Sequence, residues 1–282
     1  MRTARRRTVD RANAFRVAAA SAGVVGLVQA GTAALALRRA RRDYADAAWG
    51  PGLAAIAVTS AALGSGDPWR RWTLAAATTA WAVRLERLML ARVRGSDEED
   101  ERYTEFLESD GTATVVAKVF VTQGLAQLVV SAPLQLAAAS PLPPTARRWL
   151  FPAGVAVMVA GAVVEATADR QKARFKEQDD DERPDVLDTG LWGWSRHPNY
   201  LGDSIMWDGA WLAASASAPG GLTFPAPLAM TYFLVFATGA RRTERHMEER
   251  PAYRDYQRRV SFFVPLPSWL RGGGSGPARD GG

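Results

Sequence analysis

The 282 residues carry 35 Lys and Arg against 29 Asp and Glu, a net charge of +6, with no cysteine and only two histidines. Disulfides and cysteine-ligated metals are therefore excluded, and His197 and His246 alone argue against a zinc site. The basic residues flank apolar runs instead of forming one patch with interleaved aromatics, so a nucleic-acid partner is not expected.

Mean hydropathy is slightly negative, but the charges are bunched. Residues 17–37, 47–66, 119–146, 149–164 and 209–240 contain no Asp, Glu, Lys or Arg. A bilayer core of about 30 Å takes roughly 20 apolar residues as a helix, and helices of a soluble domain keep one charged face in water. The repetition predicts an all-α polytopic membrane protein of about seven transmembrane helices, with an amphipathic helix near the C-terminus. Its expected domains are 1–111, holding the first three spans and an acidic loop, 112–270, holding the rest, and a disordered tail over 271–282.

Taken in order, the Arg-rich start runs into a first span over Ala20–Leu37, followed by Arg38, Arg39, Arg41 and Arg42 with no small-residue cleavage site. Ala47–Leu63 is the second span, closed by Gly64-Ser65-Gly66-Asp67-Pro68. A third helix over 69–93 carries Arg84, Glu86 and Arg87, and 95–111 reads as an acidic loop. The fourth span, 112–139, places Gln123 and Gln127 on one face at i, i+4, to line a cavity or to join helices. The fifth runs from Trp149 to about Ala168. Residues 169–198 are too polar for lipid and read as a cofactor-facing surface. The sixth and seventh spans cover 199–217 and 222–239, and 241–260 reads as one amphipathic helix with Tyr253 and Tyr256 on adjacent turns. The Lys and Arg excess places the C-terminus and 169–198 on the cytoplasmic side of the cell membrane, the basic N-terminus being the exception.

The stretch with most chemistry is Ser195-Arg196-His197-Pro198-Asn199-Tyr200-Leu201-Gly202-Asp203, where polar groups crowd the start of a span. Burying them unpaired costs several kcal/mol each, on the order of 2–7, so they pair with one another, with water or with a ligand. Arg and His suit a phosphate, and Asn, Tyr and Asp suit an amide or ribose hydroxyls. An interfacial belt with a helix start at Pro198 is the bland alternative.

This stretch, with Glu165 and Asp169, Arg174-Phe175-Lys176, Gly190-Leu191-Trp192, and Arg250 to Tyr256 running on to Ser261-Phe262-Phe263-Val264-Pro265, resembles the bacterial branch of the steroid 5α-reductase-like superfamily, the group known as DUF1295. Arg94-Gly95-Ser96-Asp97 to Tyr103 and Gln123-Gly124 extend the resemblance upstream. It implies a seven-helix reductase that binds NADPH among its C-terminal spans. Asn199 and Asp203 would contact the nicotinamide end, with Asp in place of the more usual Glu. Asp169 matches an acidic cofactor-site residue, Lys176 stands where the steroid enzymes have Arg, and Glu165 replaces an Asn. Arg196, His197 and Tyr200 would join them, with Glu244, Arg245 and His246 falling near the family's basic and His-containing cofactor contacts. A lipid-like substrate would enter from the membrane lipid, and the protein would be a monomer or homo-oligomer.

One departure bears on the substrate. Steroid-reducing members carry a Tyr on the helix matching 69–93, and no Tyr lies between Trp69 and Arg94. Tyr103, Tyr200, Arg84 or its neighbour Glu86 would then act at the substrate, or the substrate is not a steroid enone. A second resemblance points to another chemistry: isoprenylcysteine carboxyl and phospholipid methyltransferases share Arg-His-Pro-x-Tyr, an acidic helix and Tyr-x-x-Tyr, matched here by 196–200, Glu244 and Tyr253 to Tyr256. Their cofactor is S-adenosylmethionine.

Overall fold

The computed structural model describes residues 9–95, 111–179, 181–237 and 239–266. Within these it is helical, with no strand and a single bridge between Ser195 and Ser261. Four helices, Arg11–Arg39, Thr112–Val130, Ala146–Lys176 and Ala218–Ala237, are long and apolar enough to cross a membrane. The chain divides into two compact units, Met1–Val159 with Trp207–Met230, and Ala160–Met206 with Thr231–Gly282.

In the first unit, α1 (Arg11–Arg39) begins earlier than its apolar run because the Asp10 side chain caps it, accepting from the Asn13 backbone N–H at 3.0 Å. A 3-10 turn (Arg42–Ala48) leads to α2 (Trp49–Leu63), only 15 residues long, and then to α3 (Pro68–Arg94), 27 residues long but charged. The 112–139 span breaks in two, α4 (Thr112–Val130) and α5 (Ala132–Ala138), since Pro133 has no N–H to continue the helical ladder. The polar side chains here act as pins between helices. Gln127 is fully buried, accepts from Gln29 at 2.9 Å and donates to the Ala48 and Trp49 carbonyls at 3.0 and 2.8 Å; Gln123 donates to the Ala45 carbonyl at 2.8 Å. Of the two roles open to these glutamines, joining helices is the one their hydrogen bonds serve.

Arg70 was not singled out by its sequence context, yet it is completely buried. It donates to the carbonyls of Ser140, Ala213 and Ala214 at 3.2, 3.1 and 3.0 Å. The last two belong to the C-terminal end of α7 (Pro198–Ala214), where four carbonyls lack helical partners and a cation is favoured.

Helix α6 (Leu150–Lys176) overruns its apolar stretch by two turns, and α7 packs against it backbone to backbone. In the first unit a Cβ on Gly154 or Gly209 would collide with the facing helix, and in the second unit the same holds for Gly161 and Gly202. Glycines seven residues apart on both helices thus permit the approach, as small residues do between membrane helices. The second unit continues through the 3-10 turn Gly190–Gly193 and, after α8 (Pro225–Tyr232) and a π-helical stretch (Phe233–Ala237), ends in α9 (Ala240–Met247) and α10 (Pro251–Arg259). The single amphipathic helix expected over 241–260 is therefore two. Pro251 starts a new helix and holds Arg250 extended, at φ −85° and ψ 120°.

Candidate functional site

Pro198 occupies the first turn of α7, so the residues before it form a loop and those after it line a helix face. Asn199 and Asp203 are one turn apart on α7, as Glu165 and Asp169 are on α6. The Asn199 amide donates to Asp169 Oδ1 at 3.2 Å. Asp203 and Glu165 are buried at 5% and 4% exposure. Gly202 makes this possible: with no Cβ it lies against the Glu165 backbone. An apolar helix pair thus carries an amide and three carboxylates on its facing turns, a costly arrangement in a lipid-embedded protein unless it has a use.

Next to this, Glu244 gathers the loop and the C-terminal helices. Arg196 forms a fork on it, Nε to Oε1 at 2.6 Å and Nη2 to Oε2 at 3.1 Å. His197 Nε2 lies 3.1 Å from Oε1, and Gln257 Nε2 donates to Oε2 at 3.2 Å. Arg196 Nη1 also donates to the Gln257 and Val260 carbonyls at 2.8 and 3.0 Å, which caps α10, and the Arg196 backbone N–H donates to the Ser261 carbonyl at 2.9 Å. The phosphate role given to Arg196 from its sequence is thereby reassigned: all three side-chain nitrogens donate to protein acceptors, so it works as a strut.

Burial pushes the Glu244 carboxyl up, but the hydrogen bonds and charges of His197 and Arg196 outweigh it and hold it below the ordinary carboxylate range. Burial pulls His197 down, and outweighs the Glu244 bond that favours its cation. Together these give an ionised Glu244 facing a neutral imidazole at neutral pH. Desolvation and then the Glu244 charge raise the Tyr253 phenol, which is buried beside that carboxylate, and desolvation does the same to Tyr256. Both stay protonated donors. Tyr256 uses its hydroxyl to fix the loop, donating to the Trp192 carbonyl at 2.7 Å, while the Trp192 indole donates to the Ala168 carbonyl at 3.0 Å.

The remaining sequence candidates fall in several places. Tyr200 stacks on His197, with ring centroids 5.9 Å apart and planes at 13°. Arg245 is exposed and, with Arg241, Glu248 and Phe262, lines a cleft of about 350 Å³ beside Glu244. Lys176 is exposed at the end of α6. Arg84 and Glu86 are half-buried on α3 in the first unit; two residues apart, they lie on roughly opposite faces of that helix. Tyr103, the acidic loop around it and the 271–282 tail lie outside the described residues, as does the side chain of His246. Sequence reasoning missed Gln171, which accepts from the Leu191 backbone N–H at 3.0 Å and crowds Gly190, whose φ of +60° favours glycine. It also missed Arg241, stacked on Phe236 at 4.4 Å. The positive-φ glycine was the available signal for the first; nothing in the sequence separated Arg241 from its basic neighbours.

The profile of the DUF1295 family, a family described as protein of unknown function, matches residues 34–260. The chain belongs to DUF1295. Every residue of the Glu244 cluster lies within that match except Ser261. A DUF1295 chain segment of 78 residues, 27% of this protein, is also 35% identical to an uncharacterized protein of Schizosaccharomyces pombe, of which the alignment spans 23%. No solved structure matches.

Proposed function

We propose that this DUF1295 protein is a multi-pass membrane oxidoreductase that passes hydride from NADPH to a carbon–carbon double bond of a lipid-like substrate such as a sterol, polyprenyl or unsaturated acyl chain. The observation that carries the reading is the amide–carboxylate set on two close-packed helices, half-buried Asn199 and Asp169 with buried Asp203 and Glu165. Its donors and acceptors suit a carboxamide and ribose hydroxyls. The cleft with Arg241 and Arg245 has two exposed guanidiniums one helical turn apart and an aromatic ring, which suit a phosphate ester. The residues present therefore fit NADPH, which when bound would supply the hydride.

In this reading Asn199 and Asp169 orient the carboxamide end, and Arg241, Arg245 and Lys176 hold phosphates. Arg196, Glu244 and Gln257 keep the loop in place. Tyr200, a phenol on the loop side of α7, donates the proton that completes reduction. Geometry of this kind speeds reaction by holding reacting groups in register and excluding water. The reading also takes the three short or charged helices α2, α3 and α7 as spans, which makes seven in all, with the C-terminus in the cytoplasm where NADPH is found.

The test is ligand-dependent stability in detergent, because a ligand that binds only the folded state raises it by mass action. NADPH should raise the melting temperature of the wild type and not that of Asn199→Ala. A rise with S-adenosylmethionine and none with NADPH would replace this reading with a lipid or isoprenylcysteine-type methyltransferase.

A further inference from the structure

His197 is 4% exposed, and its Nε2 is held by a partner of defined chemistry. Nε2 lies 3.1 Å from a Glu244 oxygen that Arg196 also holds, at 2.6 Å. A carboxylate only accepts, so Nε2 must carry the proton of that bond. The groups that act on the ring are Arg196 on its own loop, Lys172 on α6, Tyr200 on α7 and Glu244 on α9, with Tyr253 of α10 beside that carboxylate and Phe262 edge-on to the imidazole at 5.3 Å. Two cations oppose a second proton on the ring and a single carboxylate, already shared with Arg196, favours one. The neutral ring, protonated at Nε2, keeps a lone pair on Nδ1.

We propose that Glu244 is a positioning residue that fixes His197 as its Nε2–H tautomer, so that Nδ1 is the acceptor for a hydroxyl or amide N–H of the ligand held at this loop. The division of labour gives the histidine two jobs, one as a strut and one as a ligand contact. It also gives binding an acid limit, since a protonated Nδ1 no longer accepts. The ligand half of the proposal rests on the NADPH reading; the tautomer half does not.

Two side chains separate the jobs. His197→Gln puts an amide N–H where Nε2 stands and so can keep the bond to Glu244, but it has nothing at Nδ1. His197→Asn reaches the Nδ1 position and loses Glu244. The chain has two histidines, so ¹⁵N-histidine spectra of the detergent-solubilised protein contain two rings, and His246→Gln assigns them. The expected spectrum at neutral pH shows His197 with an unprotonated, pyridine-type Nδ1. Removing the carboxylate with Glu244→Gln, in a protein that still melts cooperatively, should lower the pH at which the ring titrates. NADPH should shift the Nδ1 signal of the wild type, and His197→Gln should fold yet bind NADPH at least tenfold more weakly. A proton on Nδ1 at neutral pH overturns the proposal whatever the ligand. Wild-type NADPH affinity in His197→Gln overturns the ligand contact. If the wild type binds no NADPH, the reductase reading fails, and the tautomer and the Glu244→Gln titration still decide the positioning role.

Discussion

Cutting one side of the Arg196–Glu244 fork should be among the most damaging changes available in the second unit. Both side chains are nearly enclosed, at 11% and 9% exposure, and the bond is two-pronged at 2.6 and 3.1 Å. Glu244→Ala leaves a guanidinium facing a cavity, with only the Gln257 and Val260 carbonyls to accept from it. Removing one partner of such a pair costs about 3–5 kcal/mol, most of it the charge left behind. Arg196→Ala does comparable harm, because it also uncaps α10. The double variant loses the pair without stranding either charge, so it should be less unstable than the sum of the singles by about 1.5–3 kcal/mol. Unfolding in mixed micelles, followed by the fluorescence of the ten tryptophans, gives all four corners of the cycle. Single variants whose effects add to within about 0.5 kcal/mol would refute the reasoning, since groups in contact must couple.

Further outcomes follow from the same contacts. Acid should destabilise the protein in two stages. His197 is held neutral below its ordinary value of 6.5, so its contribution is complete above that pH and is lost as pH falls through the lower folded value; Glu244, held below 4.5, loses its contribution further down. Melting temperatures between pH 7.5 and 4 should fall with acid, and at least as steeply in Glu244→Gln as in the wild type, because loss of the carboxylate holds His197 further below 6.5; a flat profile contradicts this. Tyr256→Phe deletes the donor to the Trp192 carbonyl and should cost about 1 kcal/mol, read in the same unfolding assay, with no loss meaning that the loop is pinned elsewhere. Gly202→Val drives a side chain into the Glu165 backbone and should cost about 1–3 kcal/mol or prevent folding, whereas Gly23→Val, with nothing within 4 Å, should be tolerated; equal effects would mean the α6–α7 approach is not tight.

The helical architecture was legible because charge-free runs are a solvent property of the whole segment, insensitive to packing detail. Helix ends were less so. Asp10 extends α1 by a cap outside the apolar run, and Pro133 and Pro251 each divide a continuous pattern. In the site, sequence order marked the 195–203 stretch as chemical, and Glu244 had been placed with it by resemblance. The roles within the cluster could not be read from order. Arg196 looks like any phosphate-binding arginine until its nitrogens are seen to face Glu244 and the end of α10. Arg70 is the same lesson in the first unit: an arginine at the start of a helix reads as interfacial, and only the long-range return of Ala213 and Ala214 makes it a buried cap. Long-range pairing decides function for long polar side chains, and local composition does not carry it.

The most direct measurement is equilibrium titration of the detergent-solubilised protein with NADPH, read by energy transfer from tryptophan to the bound nicotinamide, with S-adenosylmethionine as competitor. Saturable binding that S-adenosylmethionine leaves untouched, and that Asn199→Ala abolishes in a protein that still melts cooperatively, is the predicted result. Saturable binding of S-adenosylmethionine, with no NADPH signal at any concentration, would contradict the account.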